Sequence, residues 1–293
     1  MSKMYEALKK FHSEGGDSQH GELTMEESEP VAENVMSATL PAAKEAVAVE
    51  LGKPTSENTG PRQLSIEPTP ECGVVSWDGT DRHASEHYRI VRTRIVQHPK
   101  SPRIIIISSA GPGDGKTVTA INVAGMLSLR DNANVLLIDG DFRRSTIATR
   151  LGLPAEPGLA NTLDGSSSLQ ESIIRIEQFP NLYVLTAGKS PKNPAELLDS
   201  DRWRSLCATV RERFSFVIID SPPIAAVADY ELMQASCDGV IVVIRPGHTD
   251  RTLCDKTFEM IPEKKRLGAV LNCASEWFLW KTQESYYYGS NRQ

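Results

Sequence analysis

The sequence has few cysteines and no apolar segment long enough to span a bilayer. The five cysteines, Cys72, Cys207, Cys237, Cys254 and Cys273, form no C-x-x-C pair. Such an odd, scattered set favours free buried thiols in a reducing compartment over disulfides or a zinc site. No apolar run approaches the roughly 20 residues of a membrane-spanning helix, and the N-terminus lacks the apolar core of a signal peptide. We therefore expect a cytoplasmic protein.

The chain also lacks an excess of positive charge. Its net charge is −6, which argues against a nucleic-acid partner bound through a basic patch. The segment from Glu14 to Glu71 carries 12 acidic and 3 basic residues, a local charge of −9. The remainder is therefore near +3, the difference between −6 and −9. A mildly basic folded part suits the binding of a polyanionic nucleotide.

Aromatic residues are missing from the same N-terminal region. No Phe, Trp or Tyr occurs between His12 and Ser76. Such a segment cannot bury enough apolar surface to offset its ordering entropy, so we predict a disordered acidic linker over residues 13–76. Residues 1–12 are predicted to form a short amphipathic helix, which could dock on a partner or a membrane surface or could be a frayed terminus. A folded domain is predicted over residues 77–280 and a tyrosine-containing, flexible tail over residues 281–293.

A glycine-rich loop stands directly behind a β-branched run. Residues 104–107 are four isoleucines, typical of a buried strand, and residues 110–117 read Ala-Gly-Pro-Gly-Asp-Gly-Lys-Thr before an apolar helix. Strand, glycine loop and helix form the context of a phosphate-binding loop, in which backbone amides at a helix N-terminus face the phosphates. Only the first glycine of the pattern is replaced, by Ala110. The predicted nucleotide-binding residues are Gly111, Pro112, Gly113, Asp114, Gly115, Lys116, Thr117 and Val118.

Carboxylates follow two further apolar runs. Asp139 and Asp141 come after the run 135–138, and Asp220 comes after the run 216–219. In open α/β sheets ligands bind at the carboxyl ends of strands, so these acids are expected to face a metal or a nucleophile. An Asp/Gly turn with solvated acids is the alternative for the first pair. Asp229, at a predicted helix start, is interpreted as a helix cap rather than as a group behind a metal ligand.

The remaining pattern alternates strands with helices. Further strands are predicted at 182–185, 239–244 and 267–271, helices at 81–97 and 201–213, and loop and helix over 151–178. This alternation predicts an α/β fold with a doubly wound, mostly parallel sheet of the P-loop NTPase kind. Asn272, behind the last strand, is a candidate contact to the nucleotide base, because its amide both donates and accepts.

Two peripheral features have a structural and a functional interpretation. Glu86, Arg89 and Arg92 lie at three-residue steps on the helix 81–97, where they could pair within the helix or form a contact between subunits. Near the end of the chain, the apolar stretch 277–280 precedes Tyr286, Tyr287 and Tyr288. These tyrosines are either accessible hydroxyl groups or part of a terminus packed against a partner.

Together these motifs resemble the bacterial tyrosine kinases of the P-loop class, autokinases that serve capsular and exopolysaccharide synthesis. Residues 108–117 are similar to that family's Walker A motif, residues 136–144 to its Walker A′ motif and residues 217–223 to its Walker B motif. Glu86-x-x-Arg89-x-x-Arg92 matches the family's E-x-x-R-x-x-R helix, and the three tail tyrosines resemble its autophosphorylated cluster, although three are few for that family. The first eight residues look like the start of stand-alone members from exosortase-associated loci.

The resemblance implies ATP and Mg²⁺ as cofactors. Lys116, Asp139 and Asp141 would be catalytic, with Asp139 accepting or orienting the phenolic proton of a tyrosine. Thr117, Asp141 and Asp220 would hold magnesium. Tyr286, Tyr287 and Tyr288 would be phosphorylated in trans within a ring-like homo-oligomer that uses Glu86, Arg89 and Arg92.

The same resemblance implies partners and a location. The partners would be a membrane-embedded polysaccharide co-polymerase that acts as activator, and a protein-tyrosine phosphatase. The protein would lie in the cytoplasm at the inner face of the plasma membrane, held there by its partner.

Two alternatives remain open from the sequence. A deviant-Walker ATPase switch of the partition or division-site type shares the fold, but such proteins carry a lysine early in the loop, where this chain has Gly111. A degenerate regulatory module would bind ATP without transferring phosphate. Eukaryotic-type kinase chemistry is disfavoured, because the chain contains no H-R-D or D-F-G element.

Overall fold

The computed structural model describes residues 60–69, 73, 82–226 and 228–274. Most of its strands are short β-branched runs that are buried along their whole length, as expected for a sheet covered on both faces. The eight strands are β1 (Arg62–Leu64), β2 (Ile104–Ser109), β3 (Val135–Asp139), β4 (Ile174–Ile176), β5 (Leu182–Leu185), β6 (Phe216–Asp220), β7 (Gly239–Ile244) and β8 (Arg266–Leu271).

Nine α-helices are found among the described residues, and most of them connect consecutive strands. They are α1 (Arg82–Val96), α2 (Lys116–Ser128), α3 (Ile147–Leu151), α4 (Leu159–Asp164), α5 (Leu169–Ser172), α6 (Pro194–Leu198), α7 (Asp201–Arg213), α8 (Asp229–Ser236) and α9 (Arg251–Glu259). A 3₁₀ turn, Glu263–Lys265, leads into β8. None of these helices is long and apolar enough to cross a membrane.

The strands form one sheet in the order β1-β4-β5-β3-β6-β2-β7-β8. The six strands from β5 to β8 in this order are mutually parallel, whereas β4 runs antiparallel to β5 and carries β1 beside it in parallel. This arrangement confirms the predicted α/β fold with a doubly wound, mostly parallel sheet.

Side chains of the central strands alternate between two apolar layers. Ile105 and Ile107 pack in the layer that contains Met126 of α2. Ile104 and Ile106 pack in the opposite layer, with the aromatic side chains of α7 and α8. Since successive residues of a strand point to opposite faces, four consecutive isoleucines supply both layers and remain fully buried.

The strand predictions at 104–107, 135–138, 182–185, 216–219, 239–244 and 267–271 are confirmed to within two residues, and the helix 201–213 has the predicted bounds. The segment 151–178 contains β4 as well as loop and helix, and this strand was missed. Its pattern, Ile174-Arg175-Ile176, is too short for a periodicity argument.

The linker prediction is wrong at its C-terminal end. Residues 62–64 form β1 and pair with β4, and Ile66 is buried. The Ile66 backbone N–H donates to Gln178 Oε1 at 3.0 Å, and the Gln178 amide donates back to the Ile66 carbonyl at 3.1 Å. The predicted N-terminal helix over 1–12, most of the linker 13–76 and the tail 281–293 lie outside the described residues.

Candidate nucleotide-binding site

The sheet order brings the three predicted motifs to one edge. β6 lies between β3 and β2, with Asp220 opposite Asp139 on one side and opposite Ile107 on the other. All three strands are parallel, so the carboxylates after β3 and β6 meet the glycine loop after β2. The predicted loop and carboxylate residues are therefore neighbours in the fold, although they span more than 100 positions of the sequence.

The glycine loop takes backbone conformations that require glycine. Gly113 and Gly115 have φ angles of 85° and 92°, and Gly115 is the residue from which α2 begins. A Cβ atom at Gly115 would lie 1.9 Å from the Asn272 amide nitrogen, so any side chain would displace Asn272. The free amides of the first turn of α2 then open onto the space at the loop, as in a phosphate-binding loop.

Lys116, the first residue of α2, forms an ion pair inside the site. Its ammonium group lies 3.0 Å from Asp141 Oδ2, and the Asp141 side chain is only 3% exposed. Asp141 is held from the other side by the Arg144 backbone N–H, which donates to Oδ1 at 3.0 Å. Lys116 therefore occupies a defined position between the loop and the second carboxylate of the Walker A′ segment.

The carboxylates outnumber the cations that face them. Burial, and after it the negative charge of Asp220, raises the pKa of Asp139 to about 8. Burial also raises the pKa of Asp220 to about 6, although the Lys116 charge lowers it. Both shifts indicate a buried site with an excess of negative charge, which a bound cation would compensate.

Asp220 has the properties of a carboxylate that could hold a metal ion. The Thr117 hydroxyl lies close enough to lower the pKa of Asp220, but neither carboxylate oxygen has a partner with hydrogen-bond geometry among the described residues. Buried polar atoms are ordinarily satisfied. Two orphaned carboxylate oxygens beside a threonine hydroxyl fit Mg²⁺, which prefers oxygen ligands.

The protein groups do not form a complete metal cage. No cluster of three or more His, Cys, Asp or Glu side chains with metal-binding geometry occurs in the part of the chain that the structure describes. Magnesium at nucleotide sites usually keeps several waters and binds through one or two carboxylates together with substrate phosphates. The arrangement therefore suits magnesium that arrives with a nucleotide.

Asp139 is more deeply placed than its predicted catalytic role suggests. Its side chain is fully buried, and its two oxygens accept backbone N–H groups from Asp141 at 3.3 Å and from Ile147 at 3.1 Å. Since Ile147 is the first residue of α3, the Asp139 carboxylate anchors that helix as well as the Walker A′ turn.

Asn272 contacts the loop itself. Its Nδ2 donates to the Asp114 carbonyl at 2.9 Å, and its Oδ1 accepts the Cys273 backbone N–H at 3.0 Å. The predicted contact of Asn272 with a base stays a prediction, while the structure gives the side chain a role in holding the loop.

Asp229 is not the helix cap that the sequence suggested. Ala228 occupies the cap position of α8, and the buried Asp229 carboxylate pairs with Arg143, whose Nε lies 3.0 Å from Oδ2. Sequence reasoning missed Arg143 as a partner, because the two residues are 86 positions apart. The only sequence signal was that Arg143 belongs to the Walker A′ segment.

The α1 residues predicted for self-association are accessible. Arg89 Nη1 lies 3.1 Å from Glu86 Oε2, and both side chains are largely exposed. This is the intrahelical pair that the alternative interpretation required, and it leaves the helix surface open to a second subunit. The three tail tyrosines lie outside the described residues.

Comparison with known proteins gives consistent matches. A family model described as an AAA domain matches residues 102–254. The chain is 36% identical over 210 residues to tyrosine-protein kinase YwqD of Bacillus subtilis, covering 70% of this chain and 86% of that protein.

Solved structures agree with this match. The chimerical protein CapA2B2 superposes with a TM-score of 0.64 at 32% identity, over 72% of this chain and 93% of the other. The VpsO kinase domain superposes with a TM-score of 0.60 at 32% identity, over 69% of this chain and the whole of that domain.

Proposed function

The chain belongs to the bacterial tyrosine-protein kinases, a family of nucleotide-binding phosphotransferases, and we propose that it transfers the γ-phosphoryl group of ATP to tyrosines of its own tail. The observation that carries this proposal is the Lys116–Asp141 ion pair beside the unpartnered Asp220 carboxylate. It places one fixed cation and two carboxylate oxygens without hydrogen-bond partners at the end of a phosphate-binding loop.

The loop and α2 would bind the triphosphate. Backbone amides of residues 113–118 would face its oxygens, with Lys116 exchanging part of its contact with Asp141 for the β- and γ-phosphates. Thr117, Asp141 and Asp220 would hold Mg²⁺ with the nucleotide. When bound, the ion would neutralise charge on the transferring group.

The transfer step exchanges one P–O bond for another. The phenolic oxygen of a tail tyrosine forms a bond to the γ-phosphorus, the bond to the bridging β-phosphate oxygen breaks, and ADP leaves. Lys116 would stabilise the charge that develops on the transferring group. We assign the phenolic proton to Asp139, whose carboxylate form would accept it; burial raises the pKa of this group and so makes its carboxylate a stronger base than an exposed aspartate. Because Asp139 is buried, this assignment requires the Walker A′ turn to open when a tyrosine enters.

The acceptors proposed are Tyr286, Tyr287 and Tyr288, supplied by a neighbouring subunit of a ring that uses Glu86, Arg89 and Arg92 of α1. Each phosphate adds about −1.5 to −2 charges. Repulsion from the three carboxylates of the site would then release the tail and loosen the ring. The biological role proposed is control of capsular or exopolysaccharide synthesis, with a membrane-embedded activator and a protein-tyrosine phosphatase as partners.

The deciding experiment is phosphorylation of purified, dephosphorylated protein with Mg-ATP, followed by mass spectrometry of the C-terminal peptide. We expect phosphate on Tyr286, Tyr287 or Tyr288 in the wild type and none in Lys116→Met. Lys256→Met, which removes an exposed lysine of α9, is the matched control and should behave as wild type.

Other outcomes would overturn parts of the proposal. Phosphotyrosine that persists in Lys116→Met would reject the assigned site. ATP hydrolysis with an unmodified tail, with and without activator fragments, would favour an ATPase switch. Nucleotide binding with neither activity would indicate a regulatory module.

A further inference from the structure

The loop between β7 and α9 holds the phosphate-binding loop by side-chain contacts. The Thr249 hydroxyl donates to Asp114 Oδ1 at 2.7 Å and accepts the Arg245 backbone N–H at 2.9 Å. A ring nitrogen of His248 lies 3.3 Å from the Pro112 carbonyl oxygen. Both side chains reach the glycine loop from the neighbouring strand of the sheet, more than 130 residues further along the chain.

Asp114 is the residue on which these contacts converge. It is 1% exposed although it lies within a loop that is otherwise glycine and proline. Its Oδ2 accepts the Gly111 backbone N–H at 3.1 Å, and its carbonyl accepts from Asn272. The Asp114 carboxylate thus bridges the two halves of the loop, while Thr249 holds its second oxygen.

The negative charge of a carboxylate in a phosphate-binding loop repels the triphosphate that the loop would bind. In the structure its two oxygens are turned onto the Gly111 amide and the Thr249 hydroxyl. The Thr249 oxygen accepts the Arg245 backbone N–H on one side and donates its proton to Asp114 Oδ1 on the other. Thr249 therefore fixes where the negative charge of Asp114 lies.

We propose that Thr249 is a positioning residue for nucleotide binding: it orients Asp114, and through Asp114 the backbone of residues 111–114. Without the hydroxyl, the buried Asp114 carboxylate loses one of the two hydrogen bonds that its oxygens accept, and it can rotate. The Gly111 amide then loses its acceptor, and the first half of the loop is no longer held in its binding conformation. The inference rests on the proposed nucleotide site and deepens it.

The test compares Thr249→Val, which has nearly the same shape without the hydroxyl, with Thr249→Ser, which keeps it. Thr252→Val in α9 is the matched control, since that threonine is exposed. We expect the Kd for Mg-ADP, measured by calorimetric titration, to rise about tenfold in Thr249→Val, equivalent to about 1.4 kcal/mol. Thr249→Ser and Thr252→Val should stay close to wild type.

Kinetics separate positioning from chemistry. In Thr249→Val the KM for ATP should rise by a similar factor, while kcat at saturating ATP changes little, because Thr249 does not touch the reacting atoms. Wild-type affinity in Thr249→Val would overturn the proposal. So would a loss in Thr249→Ser equal to that in Thr249→Val, because the hydroxyl would then not be responsible.

A double-mutant cycle tests the route through Asp114. In an Asp114→Ala background, Thr249→Val should cause little further loss of Mg-ADP affinity, because the group that it orients is gone. If Thr249→Val lowered the affinity for Mg-ADP about tenfold in this background as well, Thr249 would not act through Asp114. The binding measurement also keeps this inference separate from the kinase assignment. If the wild type bound Mg-ADP but left its tail unmodified, the kinase proposal would fail. The Mg-ADP affinities of Thr249→Val and Thr249→Ser would still show whether Thr249 positions the loop.

Discussion

At the scale of single residues, the site is a small set of charges whose balance depends on what is bound. Lys116 pairs with the buried Asp141 carboxylate, and its charge also acts on the buried Asp220. Burial raises the pKa values of both Asp139 and Asp220. Buried charges with incomplete compensation lower the stability of the folded state, and sites that bind ligands commonly carry such a cost.

The raised pKa values determine how stability depends on pH. A carboxyl group whose folded pKa lies above its unfolded value of about 4 binds protons more tightly in the folded state. Its stabilising contribution to the free energy of unfolding is fully present below about pH 4. That contribution is lost as the pH rises through the folded pKa, which is about 6 for Asp220 and about 8 for Asp139. These groups therefore make the nucleotide-free protein less stable at pH 8 than at pH 5.

We predict that Asp220→Asn stabilises the nucleotide-free protein at pH 8 by roughly 1–3 kcal/mol, because it removes a buried charge without hydrogen-bond partners. At pH 5 the gain should be smaller, since Asp220 then carries a proton in the wild type. Melting temperatures at the two pH values measure the effect, and Mg-ATP should raise the melting temperature of the variant less than that of the wild type.

Asp255→Asn is the matched control, because Asp255 is exposed on α9 and its substitution should leave both melting temperatures unchanged. A lower melting temperature of Asp220→Asn at pH 8 would show that the charge of Asp220 is already compensated. An equal rise in melting temperature at both pH values would show that the protonation of Asp220 has no part in the stabilisation.

At the scale of elements, the Walker A′ turn is held by contacts from both of its sides. Asp139 accepts the first backbone N–H of α3, and Arg143 pairs with Asp229 at the start of α8. The second contact joins the turn after β3 to the segment after β6. It therefore helps to keep Asp141, two residues from Arg143, near Lys116.

We predict that Arg143→Ala destabilises the protein by about 1 kcal/mol, because Asp229 is left buried without its guanidinium partner while solvent still screens the half-exposed Arg143. The variant should also transfer phosphate more slowly, since Asp141 loses support. Chemical denaturation and tail phosphorylation measure the two effects. Arg144→Ala, at the adjacent exposed position, is the control, and an equal loss of stability in both variants would contradict the role of the ion pair.

At the scale of the whole molecule, the proposed transfer between subunits depends on α1 and on the tail. The apolar face of α1 packs against α2, where Ile95 belongs to the same buried layer as the α2 side chains and Tyr88 and Val91 lie beside it. Its Glu86–Arg89 pair remains exposed. An accessible charged surface on a helix that is firmly attached to the domain suits a contact between subunits.

We predict that combining Arg89→Ala with Arg92→Ala reduces the oligomer mass seen by light scattering and slows tail phosphorylation, because interfacial arginines often contribute 1 kcal/mol or more. The Kd for Mg-ADP should be unaffected. Arg94→Ala, an exposed arginine of the same helix, is the control. An unchanged mass with slower phosphorylation would place these arginines in the reaction rather than in assembly.

Much of this protein could be predicted from local sequence. The isoleucine run 104–107, the glycine loop behind it and the acids that end β3 and β6 each depend on a few consecutive residues. Buried β-branched runs, glycines with positive φ and helix starts are properties of short segments. For that reason the sequence alone determined the class of the sheet, the positions of the main strands along the chain, and the loop and carboxylates of the candidate nucleotide site.

Only the tertiary structure decided which distant residues support that site. Thr249 contacts Asp114, and Arg143 pairs with Asp229 rather than leaving Asp229 as a helix cap. Residues 62–64 join the sheet because β4 offers them an edge, although they lie within the segment whose composition predicted a disordered linker. Each of these contacts joins residues more than 80 positions apart, and no periodicity or motif in a single sequence specifies such a pairing. It arises from the sheet order, which brings strand ends together regardless of their separation along the chain.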